Sequence, residues 1–217
     1  MTHESMILVT AAFSMGILHV ILGPDHYVPF IVMAKARRWS CFKTAVITAL
    51  CGVGHVGSSV VLGILGIHLG ISLKKLVMFE SVRGEWAAWG LIAFGLVYFI
   101  YGLRRVLKGR FEAHHPDQQK LTQWVPWTLF VVFVLGPCEP LIPVFMFPAM
   151  QHDLMTTALV TGVFSGMTLL TMLGIVLVSV FGMNFLPSVS GQLERYGHAF
   201  AGLVILLCGF GVRFLGL

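Results

Sequence analysis

Two histidines and an aspartate, His19, Asp25 and His26, stand in the stretch HVILGPDHYVP at 19–29, inside a run from 6 to 33 that is otherwise almost wholly apolar. A run of that length can cross a bilayer, and titratable groups at that depth are expensive unless an ion or a proton path neutralises them. On an unbroken helix seven residues carry His19 and His26 two turns apart on one face, about 10 Å along the axis, too far to share one ion. Gly23 and Pro24 precede Asp25 directly. They are expected to break the helix, shorten that distance and free backbone carbonyls, which hydrocarbon tolerates only where protein covers the gap.

A second stretch repeats the first. GPDHYVPFIV from Gly23 returns as GPCEPLIPVF from Gly136, an offset of 113, and WAAWGLI from Trp86 returns as HAFAGLV from His198, an offset of 112. Cys138 and Glu139 therefore take the places of Asp25 and His26, and Gly136, Pro137 and Pro140 mark a second break. Pseudo-symmetry is expected to gather Asp25, His26, Cys138 and Glu139 in one site. Imidazole suits nickel, cobalt, copper and zinc, and a carboxylate accepts most divalent ions; the opposing reading is a packing network in which His and Asp pair with each other. His55, in GVGHVGSS, is either a further ligand or a histidine satisfied by a neighbouring carbonyl. Thr168, at the matching place in the second half, offers a weak oxygen ligand or a bond to its own helix. His68 reads as interfacial. The amino-terminal Met1-Thr2-His3 offers the nitrogens of a square-planar site for Ni²⁺ or Cu²⁺ or else frays, and His114 and His115 read as solvated loop residues or a second metal contact.

The elements that must hold these groups follow from composition. Of 217 residues 57% are hydrophobic and only 11% charged, against about 25% charged in a soluble domain; the mean hydropathy is +0.90. The chain reads as an integral membrane protein, and its first run as a retained span rather than a signal peptide. Six runs are long enough to span, 6–33, 44–73, 86–103, 125–150, 155–181 and 199–217, and helices are the only economical form for them. An odd number of spans per half inserts the second half upside down. The expected fold is all-α: six transmembrane helices as two inverted three-helix repeats, about 6–103 and 125–217, with broken first helices and a cytoplasmic connection at about 104–124, in a single transmembrane domain. The connections of one side carry ten Lys and Arg, those of the other only Lys74, Lys75 and Arg83, which puts both termini outside the cytoplasm of a bacterial-type inner membrane. The net charge of +5 is thus a topology signal and not a nucleic-acid footprint. Cys41, Cys51, Cys138 and Cys208 fall singly, without a disulfide framework. No phosphate loop, nucleophile elbow or HExxH helix is present, and an enzyme is not expected.

HVILGPDH followed by GVGHVGSS resembles the nickel/cobalt transporter superfamily, in particular its short urease-accessory-type membrane proteins. The typical permease motif has four residues between His and Asp, and here there are five, as in the shorter branch. The resemblance implies metal-handling roles for His19, Asp25, His26 and His55. GPCEPLIP is also similar to the proline-flanked cysteine of the cytochrome c maturation membrane reductases and to sulfite exporters. Dithiol exchange of the reductase kind needs a cysteine in each half, and Asp25 stands where the first would be. The expectation is a secondary transporter of a divalent transition metal, Ni²⁺ or Co²⁺ first, by alternating access at a midplane His/Asp/Cys/Glu site, with no prosthetic group. Its alternatives are a sulfite or other sulfur-anion exporter and a redox conduit or accessory protein for metalloenzyme maturation. The expected partners are lipid, the metal ion and either a second copy or a maturation partner, with no nucleic acid.

Overall fold

The computed structural model describes residues 3–107, 116–151, 153–185 and 191–216, and their side chains except at 116–123, 184–185 and 191–195. Among these residues every regular element is helical. α1 spans His3–Leu22, a 3₁₀ turn Pro24–His26, α2 Val28–Arg37, α3 Cys41–His68, α4 Leu73–Leu107, α5 Pro116–Leu135, α6 Leu141–Met150, α7 Leu154–Phe185 and α8 Gly191–Phe210, with a π turn at Gly211–Leu215. Among the described residues five helical stretches are long and apolar enough to cross a membrane: His3–Leu22, Cys41–His68, Leu73–Leu107, Leu154–Met183 and Tyr196–Leu215. The run at 125–150 forms two short apolar helices, Trp124–Leu135 and Leu141–Met150, on either side of the Gly136-Pro137 break. Prolines 137 and 140 supply no N–H to continue the first of them.

Local chemistry sets the boundaries. Ser40 caps α3 by accepting from the Lys43 amide at 3.2 Å, and Asp153 caps α7 by accepting from the Thr156 amide at 3.0 Å. Gly70, at φ +64, makes the tight turn from α3 into α4. That turn is shorter than the sequence suggests. Lys74, Lys75 and Arg83, expected in a connection, lie on α4, which begins at Leu73; Lys74 and Lys75 are exposed in its first turn, and Arg83 is paired with Glu80. At its other end α4 reaches Leu107 and α5 starts at Pro116, so the third connection is shorter than 104–124. Lys108, Arg110, His114 and His115 lie outside the described residues, as do Met1 and Thr2, and so do the side chains of Lys120 and Arg195.

The packing has a regular order. α1 lies on α7 and α5 on α3; α2 touches α7 and α8, and α6 touches α3 and α4; α3 meets α7, and α4 runs along α8. α4 and α8 approach most closely where glycines remove the side chain: a Cβ on Gly102 would strike the backbone of Ala199, and one on Gly202 the backbone of Phe99. Large apolar side chains such as Phe13, Leu18, Trp89, Val97, Val178 and Leu207 point outward, as a lipid-facing surface requires. Inside are two apolar clusters, one around Phe30, Met33, Leu129, Phe133 and Ile205, the other around Val56, Leu76, Leu141, Phe145 and Phe164.

Candidate metal centre

The site is assembled by the two breaks and by α3. At the first, Pro24 has no N–H to extend α1, and the chain turns through Gly23 (φ −99°, ψ 88°) into the 3₁₀ turn before α2 restarts at Val28 with Pro29 in its first turn. This turn folds His26 back over the end of α1. The ring centroids of His19 and His26 stand 4.5 Å apart and nearly perpendicular, so the break removes the separation that a straight helix would impose. His55, from the middle of α3, completes the group, with its ring 4.9 Å from His26 and 6.0 Å from His19. One ligand nitrogen from each of the three lies within 4.8 Å of the others. Phe133 of the first apolar cluster and Phe164 of the second flank the rings.

The hydrogen bonds fix which nitrogens face inward. His26 Nδ1 lies 3.1 Å from the Gly23 carbonyl and 3.1 Å from Asp25 Oδ1; a carbonyl only accepts, so Nδ1 carries the hydrogen. His55 Nδ1 lies 3.3 Å from the Phe133 carbonyl and donates for the same reason. Pro137 leaves room on that carbonyl, because its missing N–H is the helical donor that Phe133 O would take four residues on, and the carbonyl otherwise accepts the Gly136 amide at 3.1 Å. Each ring then presents a bare Nε2, and the two face each other at 3.3 Å. Two lone pairs at that distance repel unless a cation lies between them. Nitrogens bound at 2.0–2.1 Å to a tetrahedral ion stand about 3.4 Å apart. A hydrogen bond donated by the outer ring N–H to a carboxylate or carbonyl is also how metal-binding histidines are oriented.

The expected residues divide accordingly. His19, His26 and His55 come together. Asp25 orients His26, its side chain 29% exposed, and is not itself one of the converging group. Cys138 is fully buried with Sγ 3.8 Å from His19 Nε2, beside the histidines but outside the converging three. Glu139 is exposed, so the expected gathering of Asp25, His26, Cys138 and Glu139 does not form: the second break turns one residue of its pair inward and the other out. Thr168 donates at 3.5 Å to the Gly16 carbonyl of α1, tying α7 to α1 where a ligand or a bond to its own helix was expected. His68 is exposed at the end of α3, and His3 is exposed at the start of α1.

Compared with protein-family models, with curated proteins and with solved structures, the chain matches none. The geometry therefore stands alone. A cavity of about 30 Å³ adjoins the histidines, lined among others by Asp25, His26, His55, Gly84, Pro137 and Val212; it has room for a water or a bare ion. Val212 belongs to the π turn, which is tethered to α4 by Arg213 Nη2 at 3.9 Å from Glu85 Oε1.

Charge arithmetic on the sequence missed a second polar knot. Glu80, fully buried, pairs with Arg83 Nη1 at 2.5 Å and accepts from the Cys138 amide at 3.2 Å. Arg83 Nη2 donates to Ser58 Oγ at 2.7 Å, to Val134 O at 2.8 Å and to Gly136 O at 3.3 Å. The spacing of Glu80 and Arg83, three residues apart within a stretch able to be helical, was the available signal.

Proposed function

We propose that this chain is a membrane transporter of a divalent transition metal ion, Ni²⁺ or Co²⁺ first, with the ion held by His19, His26 and His55. The observation that carries the reading is the 3.3 Å approach of His26 Nε2 to His55 Nε2 with both Nδ1 atoms committed to oxygen acceptors. Asp25 orients His26, and Cys138 is poised to take part from the side of His19. A carboxylate beside the cavity favours a cation over a sulfur anion, and no chemistry of an enzyme is assigned to the site.

The transport part of the reading draws on architecture. His3 and Pro116, Val28 and Leu141, and Cys41 and Leu154 begin equivalent helices, each pair 113 residues apart, and the packing partners exchange in the same order. This supports two three-span repeats inserted in opposite senses, the fourth span being α5 and α6 together. Such repeats, with broken helices meeting near the midplane, suit alternating access. Arg83 lies half-buried and paired on α4 and is no loop charge. Only Lys74 and Lys75 then oppose the orientation with both termini outside the cytoplasm of an inner membrane. Because ligand histidines must be neutral, metal binding displaces protons, and proton coupling follows.

The test is equilibrium binding of first-row divalent ions to purified protein, native against His26→Ala and Asp25→Asn, followed by flux into proteoliposomes. Saturable binding that His26→Ala abolishes supports the reading. Equal affinity in all three proteins for every ion removes it.

A further inference from the structure

We infer that the second helix break is itself a cation site, and that its occupant is built into the chain: the guanidinium of Arg83. The argument starts from the prolines. Pro140 has no N–H for Gly136 O, four residues before it, and the Cys138 amide, the helical donor for Val134 O, is turned to Glu80 instead. Two carbonyls are thereby left without helical partners in an apolar interior, where an unsatisfied acceptor is costly. Arg83 Nη2 takes both, at 2.8 Å and 3.3 Å, together with Ser58 Oγ at 2.7 Å, while Nη1 pairs with Glu80 Oε1. One carboxylate, one hydroxyl and two freed carbonyls make an oxygen cage for a cation. The planar fork of a guanidinium meets such acceptors in fixed directions, and the ammonium of a lysine does not.

The cage leans on the histidine site. Glu80 holds the Cys138 amide, and the thiol of that residue lies 3.8 Å from His19 Nε2. Gly136, whose carbonyl Arg83 binds, is so close to His55 that a Cβ on it would lie 3.2 Å from Nδ1. Ser58, in turn, donates to the His55 carbonyl at 2.8 Å. Arg83 is therefore a positioning residue: its charge holds the second break, and the break holds Cys138 and His55 in place. The existence of the cage is independent of the metal reading, while its effect on metal affinity rests on it.

Chemical rescue tests both. Arg83→Ala leaves the cage vacant, and ethylguanidinium, at concentrations well below denaturing, is the probe that refills it. Two readouts are followed in detergent-purified protein: alkylation of Cys138 by N-ethylmaleimide, mapped by mass spectrometry, and affinity for Co²⁺. In the native protein Cys138 is protected. In Arg83→Ala it is expected to react readily and Co²⁺ to bind up to about 10-fold more weakly, the lower end of the loss for a direct partner of a ligand, since Arg83 acts one contact further out. Ethylguanidinium restores protection and affinity in Arg83→Ala but not in Glu80→Gln/Arg83→Ala, which lacks the anchoring charge. Native-like protection in Arg83→Ala, or exposure that ethylguanidinium fails to reverse, overturns the inference. If Arg83→Ala does not fold, the double variant is read alone: exposed Cys138 supports the cage, and protected Cys138 refutes it. A native protein that binds no metal at all sinks the proposed function and leaves the thiol readout to decide the cage.

Discussion

Both breaks begin with Gly-Pro, and both withdraw helical donors from carbonyls between apolar helices. At the first, the turn closes on itself: the Gly23 carbonyl accepts from the His26 amide at 3.0 Å and lies 3.1 Å from the His26 ring, and the charged partner is Asp25 one residue away. At the second, the partners come from elsewhere, Arg83 and Glu80 from α4 and His55 from α3. The same backbone problem thus has a local and a distant solution. A break that satisfies itself leaves the inward Nε2 of its histidine bare, the vacancy in which an ion is proposed to sit. One that is held by a tethered guanidinium has no such vacancy and works as a wall.

The largest effect that would sharpen this contrast is in stability. Arg83→Gln leaves Glu80, fully buried, without its counter-charge, and breaking a buried pair from one side is expected to destabilise by about 3–5 kcal/mol. Neutralising both in Glu80→Gln/Arg83→Gln should recover much of that loss, because the isolated charge is gone. Thermal unfolding of the two variants in the same detergent measures the difference. Equal melting of the single and double variants would mean that the pair is not a unit.

Next comes the direct comparison of matched positions. His26 and Glu139 are separated by the repeat offset of 113, yet the first is buried among the rings and the second is exposed. His26→Ala should weaken divalent-metal binding by more than the roughly 100-fold at the upper end for an outer partner, and Glu139→Ala should leave it unchanged. Calorimetric titration of both decides it, and a comparable loss in Glu139→Ala would restore a symmetric site.

Asp25→Asn ranks below these. Asparagine can still accept from His26 Nδ1 but without the charge, so affinity should fall about 10–100-fold with the fold intact, Asp25 being partly exposed. In the native protein and the variant alike, affinity should fall as pH falls, since protons compete for the same imidazole nitrogens and the metal must displace them. A pH series of binding constants from pH 8 to pH 6, a window that brackets the ordinary imidazole range, measures it; an affinity that rises on acidification would contradict it.

How far the sequence reached can be judged from individual residues. The histidine group was legible because apolar context makes His19, His26 and His55 conspicuous, and because Gly23-Pro24 announces a break that brings the first two together. Pro137 and Pro140 likewise announced the second. What stayed hidden depends on direction rather than type: whether the chain after Pro137 turns Cys138 or Glu139 inward is decided by the Glu80 carboxylate taking the Cys138 amide, a contact across 58 residues. Lys74, Lys75 and Arg83 read as loop charges because charge density alone cannot separate a connection from the exposed first turn of a helix, where Lys74 and Lys75 lie, or from a helix that pairs its cation, as Arg83 is paired. Thr168 was misassigned for a related reason, since its hydroxyl bonds a carbonyl of another helix, 152 residues distant.

The smallest predicted effect is the most pointed, because it returns one hydrogen to the backbone. Pro137→Ala supplies an amide N–H at the position whose helical acceptor is Phe133 O, the carbonyl that orients His55 through Nδ1 at 3.3 Å. That carbonyl also accepts from the Gly136 amide at 3.1 Å, so a third donor would crowd His55 out rather than add to it. His55 Nδ1 then loses its anchor, the ring is free to turn, and Nε2 no longer has to face His26. Metal affinity should fall by less than about tenfold, the worth of one neutral hydrogen bond, while thermal stability holds or rises because α5 gains a bond. Opposite signs in the two measurements are the signature: a site oriented by the break loses function as the helix heals, whereas falling stability with unchanged affinity would show that Pro137 only shapes the chain.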